Sequence, residues 1–248
     1  MVKPEPVTGK PGSGPGPTAA PGAPLSVQQL VVRYAKRGKM RFASHRDVAR
    51  VFERCVRRAG LPIAHSAGFT PHPKISYAGG APTGVASEAE YLSLALTSRH
   101  EAADVRERLN AALPDGIHVI AATEDVGGLP ASRLTASEWR VVLPGLTPDD
   151  AVPAVEKFLA LDHAPVERLT NKGMRRMDAR SAVVALDVRG EASGETALVM
   201  VLRHTVPAVR PDDVLTALRG ISDLALIAPP LISRLAQGSL GESGVVDL

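Results

Sequence analysis

Cysteine, aromatic residues and long apolar runs are all scarce in this chain of 248 residues. Cys55 is its one cysteine, which excludes a disulfide framework within the chain and a multi-cysteine metal or iron–sulfur site of its own. No apolar run approaches the roughly 18 residues that a membrane span needs. The N-terminus lacks the apolar core of a secretory signal, so we expect a cytoplasmic protein with no membrane association. Aromatic residues make up 3% of the chain, too few for a protein built on stacking platforms.

The composition that remains is that of a globular protein, with 44% hydrophobic and 22% charged residues. Residues 1–26 depart from it, because seven prolines and five glycines leave little apolar surface to bury. We therefore predict a disordered Pro/Gly-rich tail there, and a loose C-terminal tail over residues 237–248.

Between the two tails, the hydrophobic patterns predict an α+β fold with two ferredoxin-like (split βαβ) subdomains and antiparallel sheets. The first subdomain covers residues 27–126 and the second covers residues 127–236. In the first, we predict a short strand at Ile63–Ser66. A further strand is predicted to begin at Ile75–Ala78, to be interrupted at Gly79-Gly80-Ala81-Pro82 and to resume at Tyr91–Leu96. In the second, which has one strand more, Leu224–Ile227 is predicted to close the set.

A helix is predicted to begin after Ser44, because Ser44 and Asp47 have the spacing of a capping box. Its apolar residues recur at helical spacing and indicate a face that packs on a core. Those residues are Val48, Val51, Phe52, Cys55 and Val56. Cys55 lies on this stripe, which favours a buried and unreactive thiol.

The formal net charge of +3 conceals an uneven distribution. Between Val31 and Gly60, ten basic residues face only Asp47 and Glu53, a local net charge of +8 that leaves −5 for the rest of the chain. The basic residues of this segment are Arg33, Lys36, Arg37, Lys39, Arg41, Arg46, Arg50, Arg54, Arg57 and Arg58.

Five of these arginines fall within roughly 120° of the predicted helix, opposite its apolar stripe. Like charges this close repel one another, so helix stability alone does not explain them. Phosphate is a counter-charge that arginine recognises well, although a solvated face balanced by acidic residues elsewhere is the alternative. The candidate phosphate or nucleic-acid contacts are Lys39, Arg41, Arg46, Arg50, Arg54, Arg57, His72, Lys74, Lys172, Arg175 and Arg176.

The last three of these residues come from a second basic segment, Asn171–Arg180. It follows the second predicted strand of its half, as the loop Phe69–Lys74 does in the first half. The two segments are therefore predicted to be equivalent loops that line one groove.

Three histidines of the first half are candidates for chemistry: His45, His65 and His72. His45, at the predicted helix start, is a weak candidate for a general base. No histidine pair has the spacing of metal ligands on one helix or strand, so neither a metal nor another cofactor is predicted. Gly79–Gly84 fits no phosphate-binding fingerprint, so it is either a bulged strand connection or a place where a ligand approaches the backbone.

Two long stretches are informative through several residues in a row and not only through the spacing of residue types. They are RYAKRGKMRFASHRD and AGLPIAHSAGFTPHPKISYAGGAPTGVASEAEYL. They resemble the radical SAM-linked (radical SAM-associated) protein family in its stand-alone form, a family of uncharacterised function. The resemblance covers most of residues 30–235 and implies a radical SAM iron–sulfur protein as partner. Since this chain has one cysteine, it lacks the cluster motif of that chemistry, and an accessory role is implied.

Three functions follow as expectations. The first is a non-catalytic accessory or substrate-recognition protein that acts with a radical SAM enzyme and binds RNA or another phosphate-rich partner. The second is a metal-independent RNA-processing or RNA-modifying enzyme that uses His45, although no complete catalytic constellation is present. The third is a protein–protein interaction module.

Overall fold

The computed structural model describes residues 26–67, 69–124, 129, 131–170, 173–191, 194–222, 224–242 and 244–247. The predicted N-terminal tail lies outside these residues except for Ser26, and Lys172 lies outside them as well. Five α-helices occur in the described part of the chain: α1 (His45–Arg58), α2 (Ala102–Ala112), α3 (Pro148–Leu159), α4 (Ala179–Ala182) and α5 (Pro211–Ile221). Two short 3-10 helices are Gly38–Phe42 and Ala131–Arg133.

The same residues contain eleven strands. They are β1 (Gln28–Lys36), β2 (Ile75–Ala78), β3 (Ala86–Leu96), β4 (Ile117–Glu124), β5 (Ala136–Leu143), β6 (Pro165–Thr170), β7 (Gly173–Asp178), β8 (Val183–Gly190), β9 (Thr196–Arg203), β10 (Leu231–Gly241) and β11 (Gly244–Asp247).

One nine-stranded sheet runs through both halves of the chain in the order β4-β1-β3-β10-β5-β9-β8, with β2 added on β3 and β11 on β10. Strands β3 and β10 are parallel where they meet, at Ala86 and Ser87 opposite Ser233 and Arg234, and the other pairs in this sheet are antiparallel. The predicted α+β class with a mostly antiparallel sheet is confirmed. The halves share this sheet rather than forming two separate ones.

Each half buries its own core between the sheet and its helices. In the first half, leucines of β3 pack with Phe52 of α1 and Leu109 of α2. In the second half, Val141 and Leu143 of β5 pack with Phe158 of α3 and Leu218 of α5. The sheet therefore carries helices α1 and α2 beside one half and α3 and α5 beside the other.

Helix α1 begins as predicted. The Ser44 hydroxyl accepts a hydrogen bond from the Asp47 backbone N–H at 3.3 Å, and the Asp47 carboxylate accepts one from the Ser44 N–H at 3.1 Å. Cys55 is buried, its thiol lies 3.4 Å from the Leu109 carbonyl oxygen, and burial raises its pKa to about 11. A thiol that stays protonated at neutral pH is a poor nucleophile, as the prediction of an unreactive cysteine requires.

A buried ion pair joins the halves where β3 meets β10. Arg234 Nη2 lies 2.5 Å from Glu90 Oε1, and both side chains are only 4% exposed. The same guanidinium donates to the Gly79 carbonyl oxygen at 2.5 Å and to the Ser87 hydroxyl at 3.2 Å. Glu90 also accepts from the Ala81 N–H at 3.2 Å. The pair thus fixes both the strand junction and the Gly79–Ala81 backbone.

The predicted strand structure of the first half needs two corrections. Ile63–Ser66 is not a strand, because only Ile63 and His65 make isolated bridges. The predicted interrupted strand is instead two antiparallel neighbours, β2 and β3, joined by a reversal of the chain. Gly79 and Gly84 make this reversal possible, with φ of +60° and +92°.

The second half also differs from its prediction. Residues 224–227 form no strand, and the half is completed by β10, which pairs with β5. Residues 237–241 therefore belong to the sheet, and β11 pairs with β10, so the predicted loose tail is wrong at these positions. Gln237 is fully buried, and burial is not predicted from the sequence for a polar side chain of this kind.

No helix in the described part of the chain is both long and apolar enough to cross a membrane.

We predict that Glu90→Ala lowers the free energy of unfolding by about 3–5 kcal/mol, because it leaves the Arg234 charge buried without its counter-ion. The matched control is Glu88→Ala on the same strand, whose carboxylate pairs with the solvent-exposed Arg37. That change should cost less than about 1 kcal/mol. Urea unfolding of both variants measures the difference, and equal losses would refute the importance assigned to the buried pair.

Candidate nucleic-acid interface

The outer surface of α1 carries an arginine face, which we define as Arg46, Arg50, Arg54 and Arg57. All four side chains are exposed to solvent. None forms an ion pair with another residue of the described chain. The apolar residues on the other side of the helix are held in the core, so the face is turned away from the protein.

The basic residues on β1 and directly after it are, by contrast, held in contacts within the fold. Arg33 pairs with Asp247, and its Nε donates to the Glu88 carbonyl oxygen at 2.9 Å. Arg37 pairs with the Glu88 carboxylate, with Nε at 2.7 Å from Oε1. Lys36 is 3% exposed, and burial lowers its pKa, while the nearby Glu90 carboxylate opposes this shift. The excess positive charge of the segment Val31–Gly60 therefore lies on α1 and on the short helix before it.

That short helix, Gly38–Phe42, adds two of the predicted contacts. Lys39 is exposed, and Arg41 is half-buried with its guanidinium carbon 4.7 Å from the centre of the Phe42 ring. Phe42 is itself 61% exposed and lies two residues before Ser44, the cap of α1. An exposed aromatic ring and two cations thus continue the arginine face toward the start of the helix.

A pocket of about 420 Å³ opens at the N-terminal end of α1, between this helix and the end of β2. We refer to it as the His45 pocket. Its lining comes from the first turn of α1 and from the residues that lead into the β2–β3 reversal. The lining residues are His45, Arg46, Ala49, Tyr77, Ala78, Gly79 and Gly80.

The glycine walls of the His45 pocket are held in place from behind. A Cβ at Gly80 would lie 1.7 Å from His45 Cε1, so the imidazole rests against bare backbone. A Cβ at Gly79 would lie 1.8 Å from the buried Gln237 amide nitrogen, and the Gly79 carbonyl oxygen accepts from Arg234. The Gly79–Gly84 segment is therefore a reversal of the chain between β2 and β3 and not a bulge within one strand. The side chains of His45 and Gln237 approach its backbone closely.

The two other candidate histidines lie on a separate loop. His65 forms a bridge with Pro73, and the backbone of Ser66 bonds to that of His72 at 2.8 Å, so the loop is closed at its base. His72 and Lys74 are both exposed. Lys74 directly precedes β2, the strand whose end lines the His45 pocket.

The second basic segment is not the loop that was predicted. Residues 173–178 form β7, which pairs with β6 as a two-stranded sheet between α3 and α4, so they are not equivalent to Phe69–Lys74. Arg175 and Arg176 are exposed, and Arg176 approaches Glu167 at 4.0 Å. No hydrogen bond or ion pair links the described part of this hairpin to α1.

A second polar cluster lies beside the junction of β3 and β10, and the sequence did not predict it. His204 Nε2 lies 2.8 Å from the Ser137 hydroxyl, and its Nδ1 lies 2.7 Å from the Leu134 carbonyl oxygen. The Trp139 indole N–H donates to the same hydroxyl at 3.1 Å. Burial lowers the pKa of His204. Ser137 is 1% exposed, so this group braces the sheet, and no local sequence signal pairs two residues 67 positions apart.

No group of three or more histidine, cysteine or acidic side chains in the described chain is arranged to hold a metal ion. His45, which lines the pocket, has no acidic partner within hydrogen-bond distance among these residues. The arrangement supplies cations, rings and exposed backbone, which are groups suited to binding.

A family model described as "Uncharacterized protein conserved in bacteria (DUF2344)" matches residues 29–211. A search of the curated proteins gives no match. Among solved structures, the chain is similar to one titled "Crystal Structure of a Cbf5-Nop10-Gar1 Complex", with a TM-score of 0.47 and 10% identity. The similarity covers 94% of this chain and 59% of that chain.

We predict that Tyr77→Phe leaves the free energy of unfolding unchanged or raises it by up to about 1 kcal/mol. The Tyr77 hydroxyl is buried and has no hydrogen-bond partner in the described chain, so its removal ends a desolvation cost. Tyr91→Phe is the control, because the Tyr91 hydroxyl donates to Asp247 at 3.4 Å and its loss should destabilise. Thermal unfolding compares the two variants, and a Tyr77→Phe protein less stable than Tyr91→Phe would contradict this interpretation.

Proposed function

The chain belongs to the family of uncharacterized proteins conserved in bacteria, and on that premise we propose that it is a non-catalytic RNA-binding protein whose arginine face holds the phosphate backbone. The observation that carries the proposal is the set of four exposed, unpaired arginines on one side of α1. Lys39, Arg41, His72 and Lys74 extend the contact around this face.

The energetic cost of the arginine face supports a polyanionic partner. Like charges at positions i and i+4 of a helix destabilise it by a few tenths of a kcal/mol for each pair. Arg46, Arg50 and Arg54 form two such pairs in sequence. Elsewhere in the same basic segment, Arg33 and Arg37 are each given an acidic partner. A face left without such partners is relieved when phosphates supply the counter-charge.

The spacing of the face also suits a nucleic-acid strand. Residues four apart on a helix are about 6 Å apart along its axis. This distance is close to two nucleotide steps, at about 3.4 Å for each step along one strand. Guanidinium groups bind phosphate through paired hydrogen bonds, which favours arginine over lysine at every one of these positions.

We further infer that each half of the chain is a ferredoxin-like unit. The first half has the order β4-β1-β3 with β2 on the outer side of β3, and the second has the order β10-β5-β9-β8. In both, the neighbours are antiparallel and a helix follows the first and third strands of the unit. The β6–β7 hairpin is then an insertion in the second unit, which accounts for its extra strands.

The accessory role is proposed from the sequence resemblance to radical SAM-linked proteins. This chain has one cysteine, which is buried, and so has no cluster ligands of its own to offer. In this proposal, RNA held on the arginine face is presented to a partner that carries the iron–sulfur cluster, and both proteins act in the cytoplasm.

For RNA binding, we predict that the triple variant Arg50→Ala/Arg54→Ala/Arg57→Ala lowers the slope of log Kd against log salt concentration by about 2, since each lost phosphate contact removes about 0.7 on a single strand. Fluorescence anisotropy with a labelled RNA oligonucleotide at several salt concentrations gives the slope. The affinity at low salt should fall together with the slope.

The control for net charge is a second triple variant, Arg106→Ala/Arg189→Ala/Arg219→Ala, which removes three exposed arginines away from α1. It should keep nearly the wild-type slope. Equal losses in the two triple variants, or a wild-type protein without affinity for RNA at low salt, would overturn the proposal.

For the partner, we predict that the tagged chain purified from its own cells retains a protein with stoichiometric iron and acid-labile sulfide after nuclease treatment. The chain has no cluster ligands, so any such iron must belong to the partner. Iron and sulfide assays with mass spectrometry of the retained protein provide the measurement. Retention that disappears with nuclease would mean that RNA alone joins the two, and absence of iron would refute the partnership.

A further inference from the structure

We propose that the His45 pocket binds one unpaired nucleotide of the RNA strand that the arginine face holds. This inference rests on the proposed function and adds the class of ligand at a defined site. The pocket volume of about 420 Å³ lies within the range of about 300–1,000 Å³ that is usual for small-molecule sites.

The lining of the pocket matches the parts of a nucleotide. His45 and Tyr77 contribute flat aromatic rings, against which unpaired bases commonly stack. Ala49 and Gly80 are among its smallest lining residues and leave room for a planar base to approach the backbone. Arg46 supplies a cation for the phosphate at the rim.

The pocket is continuous with the arginine face because Arg46 belongs to both. Arg50 follows one helical turn later, about 6 Å further along the axis. A strand bound along the face would therefore reach the pocket at its last phosphate contact. On the other side, the exposed Phe42 ring stands three residues before His45 and offers a second surface for stacking.

The walls of the pocket are organised before any ligand arrives. Arg234 holds the Gly79 carbonyl oxygen, and Gln237 packs behind the same residue. Tyr77 is braced by Phe52, with ring centroids 6.4 Å apart in an edge-on arrangement. A site with fixed walls loses little conformational entropy on binding, which favours even a small ligand.

The nucleotide has to be unpaired for a geometric reason. The pocket is a recess between a helix and a strand end, and a base held in a duplex keeps both faces stacked. A bulged, looped or single-stranded nucleotide can turn its base into the recess while its neighbours stay on the arginine face. The site therefore distinguishes RNA with unpaired nucleotides from a continuous duplex.

The test uses the full chain and two variants of matched chemistry. Ala49→Leu fills the pocket without changing charge, and Ala103→Leu adds the same side chain to an exposed position of α2. Each protein is titrated with AMP and with UMP by NMR, and with a duplex RNA that either contains or lacks one bulged nucleotide by anisotropy.

We expect wild type and Ala103→Leu to bind both mononucleotides and to prefer the bulged RNA. Ala49→Leu should weaken mononucleotide binding by about tenfold or more, equivalent to about 1.4 kcal/mol, and lose the preference while keeping wild-type affinity for the continuous duplex. The inference is overturned if Ala49→Leu keeps the preference, or if mononucleotides at millimolar concentration shift no resonance of the pocket.

A second pair of variants guards against a folding defect in Ala49→Leu. Gly80→Ala should push the imidazole out of its place, whereas Gly220→Ala adds a Cβ that meets nothing within 4 Å. Gly80→Ala should lose the preference for bulged RNA, and an unchanged preference would again overturn the inference. Absence of all RNA binding by the wild type would instead refute the proposed function, while mononucleotide binding would still report on the pocket.

Discussion

The buried ion pair between Arg234 and Glu90 is the interaction on which the arrangement of the chain depends. Two charges removed from water need hydrogen-bond partners, and each of the three guanidinium nitrogens of Arg234 donates to one: Glu90, the Ser87 hydroxyl and the Gly79 carbonyl oxygen. The first two partners lie on β3, so the halves are joined where they share only a short parallel contact. The third partner fixes one wall of the His45 pocket, which links fold stability to the candidate site.

The cations of the basic segment fall into two groups, one held in contacts within the fold and one exposed on α1. On β1, Arg33 pairs with Asp247 and Lys36 is buried beside Glu90, and Arg37, which directly follows this strand, pairs with Glu88. On α1, the capping box and the apolar stripe hold the helix while its outer arginines stay unpaired. The repulsion among these arginines is what the proposed phosphate-bearing partner would relieve.

Local patterns predicted local structure well. The Ser44–Asp47 cap, the apolar stripe of α1 and the burial of Cys55 all depend on residues within a few turns, and all three are found as expected. The errors involve distant partners. β10 contains buried polar residues whose partners are in β3 and β5, and a local pattern does not show them, so its last residues, 237–241, are predicted as part of a loose tail. The glycines of the β2–β3 reversal and the Arg234 anchor of the pocket were likewise hidden, because their role depends on residues about 150 positions apart.

The central claim is that RNA phosphates contact the arginine face of α1. NMR of the arginine Nε–H groups during titration with an RNA oligonucleotide tests it residue by residue. We expect shifts and slowed hydrogen exchange for Arg46, Arg50, Arg54 and Arg57, with Arg37 and Arg140 unchanged because their guanidinium groups already bind Glu88 and Glu191. Shifts confined to arginines of the second half, with the α1 signals unmoved, would contradict it.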